Sequence, residues 1–356
     1  MPDASAGSHQ KFYLPTLDGW RALAILAVLF HHAALLTLGP ISDHWLFQSG
    51  YEGVDIFFAI SGLLICWRLL EEEAVRGRIS LRAFYIRRAF RILPPALVYL
   101  LVIALLAAIG LIAASPKELL ASLFFFRNYL VQLGHFSVSP WFTGHFWSLS
   151  VEEHFYLLLP GLLVLTPRKL RAPLLFILTA AVILHRQSAL HNPNFDQMRY
   201  QTDLRLHELL LPAMLAVLVQ IPSIRTCFRR ALVVWPLLCA LALWIILADP
   251  RPILRPAPHI LFALMVLGSI LNPTNLFGRL LESPPLRWIG RISYSLYLWQ
   301  QLFFTGHFLN QYPLGAFNRF PLQILATFMC AILSYRYIER PMIALGHRLA
   351  HPPIRR

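Results

Sequence analysis

The sequence predicts an all-α, polytopic integral membrane bundle of about ten transmembrane helices with both termini in the cytoplasm. Composition is the first reason: 57% of the 356 residues are hydrophobic and 13% are charged, an apolar share above that of a soluble domain, and mean hydropathy is +0.59. Segmentation is the second, with apolar runs at about 20–39, 53–70, 94–114, 146–165, 172–186, 204–221, 231–248, 258–271, 292–309 and 320–338, separated by polar or proline-bearing stretches. Charge placement is the third. With the N-terminus inside, the inner loops and adjoining helix ends hold 23 of the 31 Lys and Arg and the outer ones hold 8, the asymmetry that orients membrane proteins.

That asymmetry also accounts for the net charge of +14 without a nucleic-acid partner; the expected contact surface is the lipid bilayer. The first dozen residues are polar and lack a basic stretch before the apolar run, so a cleaved leader is not expected. Cys66, Cys227, Cys239 and Cys330 show neither paired nor metal-like spacing, and no metal site is expected. No fixed-period repeat or long polar segment breaks the chain. One membrane domain over 1–356, with a core of about 14–345, is the expectation.

The first span carries a cation at one end and two imidazoles at the other. Arg21 and His32 are eleven residues apart, close to three turns, which puts both on one face about 16 Å apart; His31 is turned away from that face by about 100°. Ionisable groups inside a span are costly unless they meet a partner or a polar cavity. Asp18 precedes the span, where it can cap the helix or pair with Arg21. Snorkelling to the headgroups is the competing reading for Arg21.

The second run, Gly50-Tyr51-Glu52-Gly53-Val54-Asp55, enters from the outer side with an acid, and Asp55 there is placed to orient His32. Ser61 and Gly62 in the same span are expected to serve close helix packing. In the next inner loop Arg87, Arg88 and Arg91 lie in a segment that is helical in pattern until Pro94 and Pro95. Arg88 and Arg91, at i and i+3, form a fork suited to phosphate, although anionic lipid headgroups are the commoner partners of such arginines.

Residues 119–133 read as a partial or interfacial helix. The fourth span opens with His145-Phe146-Trp147-Ser148 and continues through Glu152, Glu153 and His154; Ser148 and Glu152, at i and i+4, face one cavity. Arg205, His207 and Glu208 enter the sixth span together, either lining that cavity or pairing with each other. The ninth carries Ser293, Tyr294, Tyr297, Gln300 and Gln301, a polar lining at membrane depth. Glu339-Arg340-Pro341 reads as an interfacial stop.

Together LDGWRA…HH, GVDIFFAISGLLI, RRAFRI, FWSLSVEEHFYLLLP and ISYSLYLW resemble, in the same order, motif blocks of the acyltransferase family 3 membrane proteins, which include bacterial polysaccharide O-acetyltransferases and macrolide acyltransferases. The resemblance implies His32 as catalytic histidine, with Arg21 in the same signature. It implies Ser148 and Glu152 as a Ser-x-x-x-Glu element, and Arg88 with Arg91 as the pair associated with acyl-CoA. Many members have histidine where this chain has Gln300, and glutamine cannot exchange a proton. The C-terminal esterase-like domain frequent in the family is not expected here.

The expected activity is therefore transfer of an acyl group, acetyl first of all, from cytoplasmic acyl-CoA to a hydroxyl of an envelope glycan, lipid-linked sugar or similar carbohydrate acceptor, in the inner membrane. Acyl-CoA is a co-substrate, with no permanently bound cofactor. His32 is either the general base or a transient acyl carrier, with Glu152 and Asp55 as carboxylates acting on it. Arg88, Arg91 and Arg87 are the donor-binding set. His145, Trp147, Glu153 and Tyr297 are expected to contact substrate. The competing class is a secondary transporter or lipid-linked sugar flippase, which calls for matching broken helices in two halves; no such internal symmetry is present.

Overall fold

A computed structural model describes residues 13–37, 49–130, 138–248, 257–305 and 312–350, and every regular element among them is helical. We number the principal helices α1 (Pro15–Thr37), α2 (Glu52–Arg76), α3 (Leu81–Ala108), α4 (Pro116–Leu123), α5 (Val138–Gly144), α6 (Phe146–Leu165), α7 (Arg168–Ala189), α8 (His207–Leu218), α9 (Pro222–Ala231), α10 (Trp235–Ala248), α11 (Ala257–Leu271), α12 (Pro284–Arg291), α13 (Ser293–Phe303), α14 (Leu322–Ser334) and α15 (Arg340–Ala350). Among the described residues five helical stretches are long and apolar enough to cross a membrane: Glu52–Arg76, Leu81–Ala108, Trp141–Leu165, Arg168–Ala189 and Pro222–Ile245. The apolar helices at 207–218 and 258–271 are shorter.

Helix α2 is the centre of the bundle, packed by α1, α8, α11 and α6. Two glycines permit this. A Cβ on Gly53 would collide with the Ala24 carbonyl on α1, and one on Gly62 with the Leu209 carbonyl on α8, so both helices approach α2 at backbone distance. We expect Gly62→Leu to abolish recovery of folded protein in detergent, measured as the monodisperse fraction in size-exclusion chromatography, because backbone cannot move aside as a flexible side chain can.

Several sequence boundaries are corrected. Pro94 and Pro95 do not end a helix: α3 starts at Leu81, with Ser80 accepting from the Ala83 amide as its N-cap, and runs 28 residues with both prolines inside. Proline removes ladder donors and loosens the turn before it, and there the Ile92 carbonyl accepts from the Tyr294 hydroxyl at 2.8 Å. Helix α1 begins at Pro15, a residue suited to a first turn, so Asp18 lies inside the helix and pairs with Arg21 instead of capping.

The stretch read as a helix over 119–133 is shorter and starts earlier, as α4 with a Ser115/Glu118 capping box, followed by a single turn at Arg127–Tyr129; residues 131–137 lie outside the described ones. The sixth run is broken into a turn at Thr202–Arg205 and α8. The chain does not stop at Glu339-Arg340-Pro341, because a π-helical turn over Tyr335–Glu339 leads directly into α15. Glu339 is held in the bundle, where it accepts from Ser295 Oγ at 2.8 Å.

Candidate active site

A cleft with about 750 Å³ of empty space lies among α1, α2, α3, α6 and α13, and its lining includes Arg21, Arg88, Arg91, Ser148, Glu152 and Tyr297. Six of the residues singled out in the sequence therefore meet in one place. They come from four helices, α1, α3, α6 and α13, and local periodicity explains each pair: Arg88 and Arg91 stand one turn apart on α3, as do Ser148 and Glu152 on α6. Three guanidinium groups against one carboxylate leave the cleft positive, which suits an anionic ligand. Arg21 is joined to Asp18 at 3.0 Å, and Asp18 also accepts from Tyr13 at 2.6 Å.

Glu152 is fixed from two sides. Its Oε1 accepts from Ser61 Oγ at 2.8 Å and its Oε2 from the Tyr156 hydroxyl at 3.3 Å. Ser61, expected only to pack, thus lines the cleft. Tyr156, which the sequence reading passed over, also carries the Arg88 guanidinium 4.5 Å above its ring; the i+4 spacing from Glu152 was the available signal.

Ser148 lies one turn beyond Glu152 and contacts a second group. Its Oγ is 2.6 Å from the Tyr297 hydroxyl, and both hydroxyls reach the His145 carbonyl, at 3.2 and 3.1 Å. The His145 ring is buried against Tyr99 and Tyr297, with neither nitrogen hydrogen-bonded among the described residues. Three residues past Tyr297 on the same face of α13 is Gln300, fully buried, whose Oε1 is 2.9 Å from His32 Nδ1. The Trp141 ring stands edge-on to His32 at 5.6 Å.

The cleft and the histidine share two helices. Helix α1 leads from Arg21 in the cleft to His32, and α13 leads from Ser293 and Tyr294 in the cleft to Gln300. The two helices run the same way; between Arg21 and His32 α1 is apolar except for His31, while α13 carries Tyr297 and Gln300. His32 itself is half-buried and lies beyond the cleft lining.

Two expected pairings are not found. Asp55 does not orient His32: Gly53 lies against Ala24 and Gly50 against Ala27 and His31, which sets Asp55 about 12 Å down the bundle from His32 at the helical rise per residue. Asp55 is instead bonded to Arg205, whose Nη2 also holds Glu208 at 3.0 Å. His259 Nε2 lies 3.4 Å from Asp55 and 3.5 Å from Glu208, and its Nδ1 is 3.2 Å from His207. Arg205, His207 and Glu208 therefore pair around Asp55 and do not line the cleft.

Nor is Glu152 the group bonded to His32, a place taken by Gln300. Of the other named residues, Arg87 binds Glu72 at 3.1 Å. Trp147 packs on Phe58 and Tyr200 with the Arg205 guanidinium 5.3 Å from its ring. Glu153 adjoins the cleft without lining it, and its Oε1 makes no hydrogen bond among the described residues.

An all-helical bundle with five stretches long and apolar enough to cross a membrane, set around an arginine-lined cleft, is of the integral membrane class. Comparison with family models narrows this: the model described as an acyltransferase domain matches residues 14–338, and the chain belongs to the acyltransferase family 3. SACOL0978 of Staphylococcus aureus strain COL, named as an O-acetyltransferase, is 31% identical over 359 residues, covering 92% of this chain and 57% of that protein. O-acetyltransferase OatA of Staphylococcus aureus strain NCTC 8325 is 30% identical over 368 residues, covering 94% of this chain and 58% of OatA. The chain thus spans under three fifths of the length of these relatives. No solved structure matches it.

Proposed function

We propose that this protein is a membrane O-acyltransferase that takes an acyl group, acetyl in the first instance, from cytoplasmic acyl-CoA to a hydroxyl of an envelope glycan or lipid-linked sugar. The observation that carries this reading is the cleft that gathers Arg21, Arg88 and Arg91 with Glu152, Ser148 and Tyr297, on helices α1 and α13 that lead on to His32 and Gln300. The arginines hold the phosphates of the donor, and the thioester arm extends from the cleft toward His32. His32 takes the proton of the acceptor hydroxyl as its oxygen attacks the thioester carbonyl carbon. The carbon–sulfur bond then breaks, and the proton passes to the departing thiolate. Both termini lie in the cytoplasm in this reading, ten spans cross the inner membrane, and the acceptor arrives from the outer side near His145.

Sealed vesicles of known orientation, with radiolabelled acetyl-CoA on one face and acceptor glycan on the other, test this directly. Acylation is expected only with donor on the cytoplasmic face and product opposite. Product confined to the donor face would refute a reaction across the membrane. In purified protein, Arg88→Ala combined with Arg91→Ala should raise KM for acetyl-CoA at least tenfold while leaving acceptor KM near its original value, since each charge-assisted bond contributes about 1.5–3 kcal/mol. Unchanged donor KM would assign the pair to lipid headgroups.

A further inference from the structure

We infer that Gln300 is the positioning residue that fixes the tautomer of His32, making Nε2 the one atom of that imidazole able to accept a proton or an acyl group. The inference rests on the proposed role of His32 and deepens it. A neutral imidazole carries one N–H and one lone pair, and the hydrogen bond made by one nitrogen decides which is which. Here Nδ1 faces Gln300 Oε1 at 2.9 Å. An amide oxygen only accepts, so Nδ1 holds the hydrogen and donates, leaving the lone pair on Nε2.

The arrangement is held on both sides. Gln300 has no exposed surface, and it sits on α13 one turn past Tyr297, which Ser148 and the His145 carbonyl pin in place. On the other side, the Trp141 ring stands edge-on to His32 while its Nε1 donates to the neighbouring Gln301 carbonyl at 2.9 Å. Imidazole, amide and indole are therefore registered against one helix, α13. Because the amide is uncharged, it orients the ring through the hydrogen bond and adds no Coulombic stabilisation of the imidazolium that forms when Nε2 takes a proton. A carboxylate in its place would do both.

That difference gives a readout a packing role would not move. In Gln300→Glu, the carboxylate should favour the imidazolium and move the acid limb of the kcat/KM profile about one pH unit or more upward, the size of effect an opposite charge at this distance produces. Gln300→Leu, which offers no acceptor, should lower kcat at least tenfold with acetyl-CoA KM unchanged. Both variants are read on purified protein matched for thermal midpoint, so that Gln300→Glu decides the matter if Gln300→Leu does not fold.

An unmoved pH profile in Gln300→Glu, or unaltered kcat in Gln300→Leu, overturns the inference. His32→Ala is the control: if it is inactive while Gln300→Glu keeps the original profile, the positioning role alone fails. If His32→Ala stays active, the proposed role of His32 fails with it.

Discussion

His32→Ala is expected to lower acyl transfer by roughly 10²–10⁴, the contribution of a positioned general base, with little change in the amount of folded protein. His32 is half-buried, and its ring is bonded to Gln300. His31→Ala is the informative partner. The His31 ring lies 5.4 Å from that of His32 but meets Tyr51 at 5.9 Å, and its loss should leave most of the rate intact. Turnover of radiolabelled acetyl-CoA by the two purified variants separates them, and equal losses would show that the face of α1 is not what matters.

Arg205→Leu should have an equally large effect on a different quantity. Arg205, Asp55 and Glu208 are each buried, and one guanidinium nitrogen holds both carboxylates. Removing one member of a buried ionic group strands the remaining charges and costs about 3–5 kcal/mol, whereas replacing the whole group by apolar residues of similar size is often neutral. We therefore expect Arg205→Leu to eliminate folded protein and the combination Asp55→Leu, Arg205→Leu, Glu208→Leu to recover much of it. Thermal unfolding in detergent, followed by loss of the monodisperse peak, reads both. A stable single variant would mean that the group does not join α2 to α8.

The sequence allowed the faces to be read but not the depths. Arg88 with Arg91, and Ser148 with Glu152, are neighbours because helical geometry makes them so, and they were found without knowledge of any other element. The partner of His32 was beyond that reach: Gln300 lies 268 residues away, and no periodicity fixes how one helix is rotated or shifted against another. Asp55 shows the same limit. Its side of the membrane was inferred from the order of the spans, yet its level follows from the contacts of Gly53 and Gly50 with α1, which set α2 deeper than the start of its apolar run suggests. Tyr156 was missed although its i+4 spacing from Glu152 was legible, and Ser61 was read as a packing residue because no periodicity shows that α2 brings it to Glu152.

The spacing along α1 also acts as a ruler. Arg21 and His32 are about 16 Å apart at the rise of an α-helix, and the other two arginines of the cleft stand with Arg21. A donor gripped by its phosphates must carry its activated carbonyl on an arm of about that length. Acetyl phosphate, whose phosphorus and carbonyl carbon share a single oxygen, cannot occupy the arginines and present its acetyl group to the imidazole at once. In the proposed reaction the donor is therefore selected by reach, independently of how strongly it is activated.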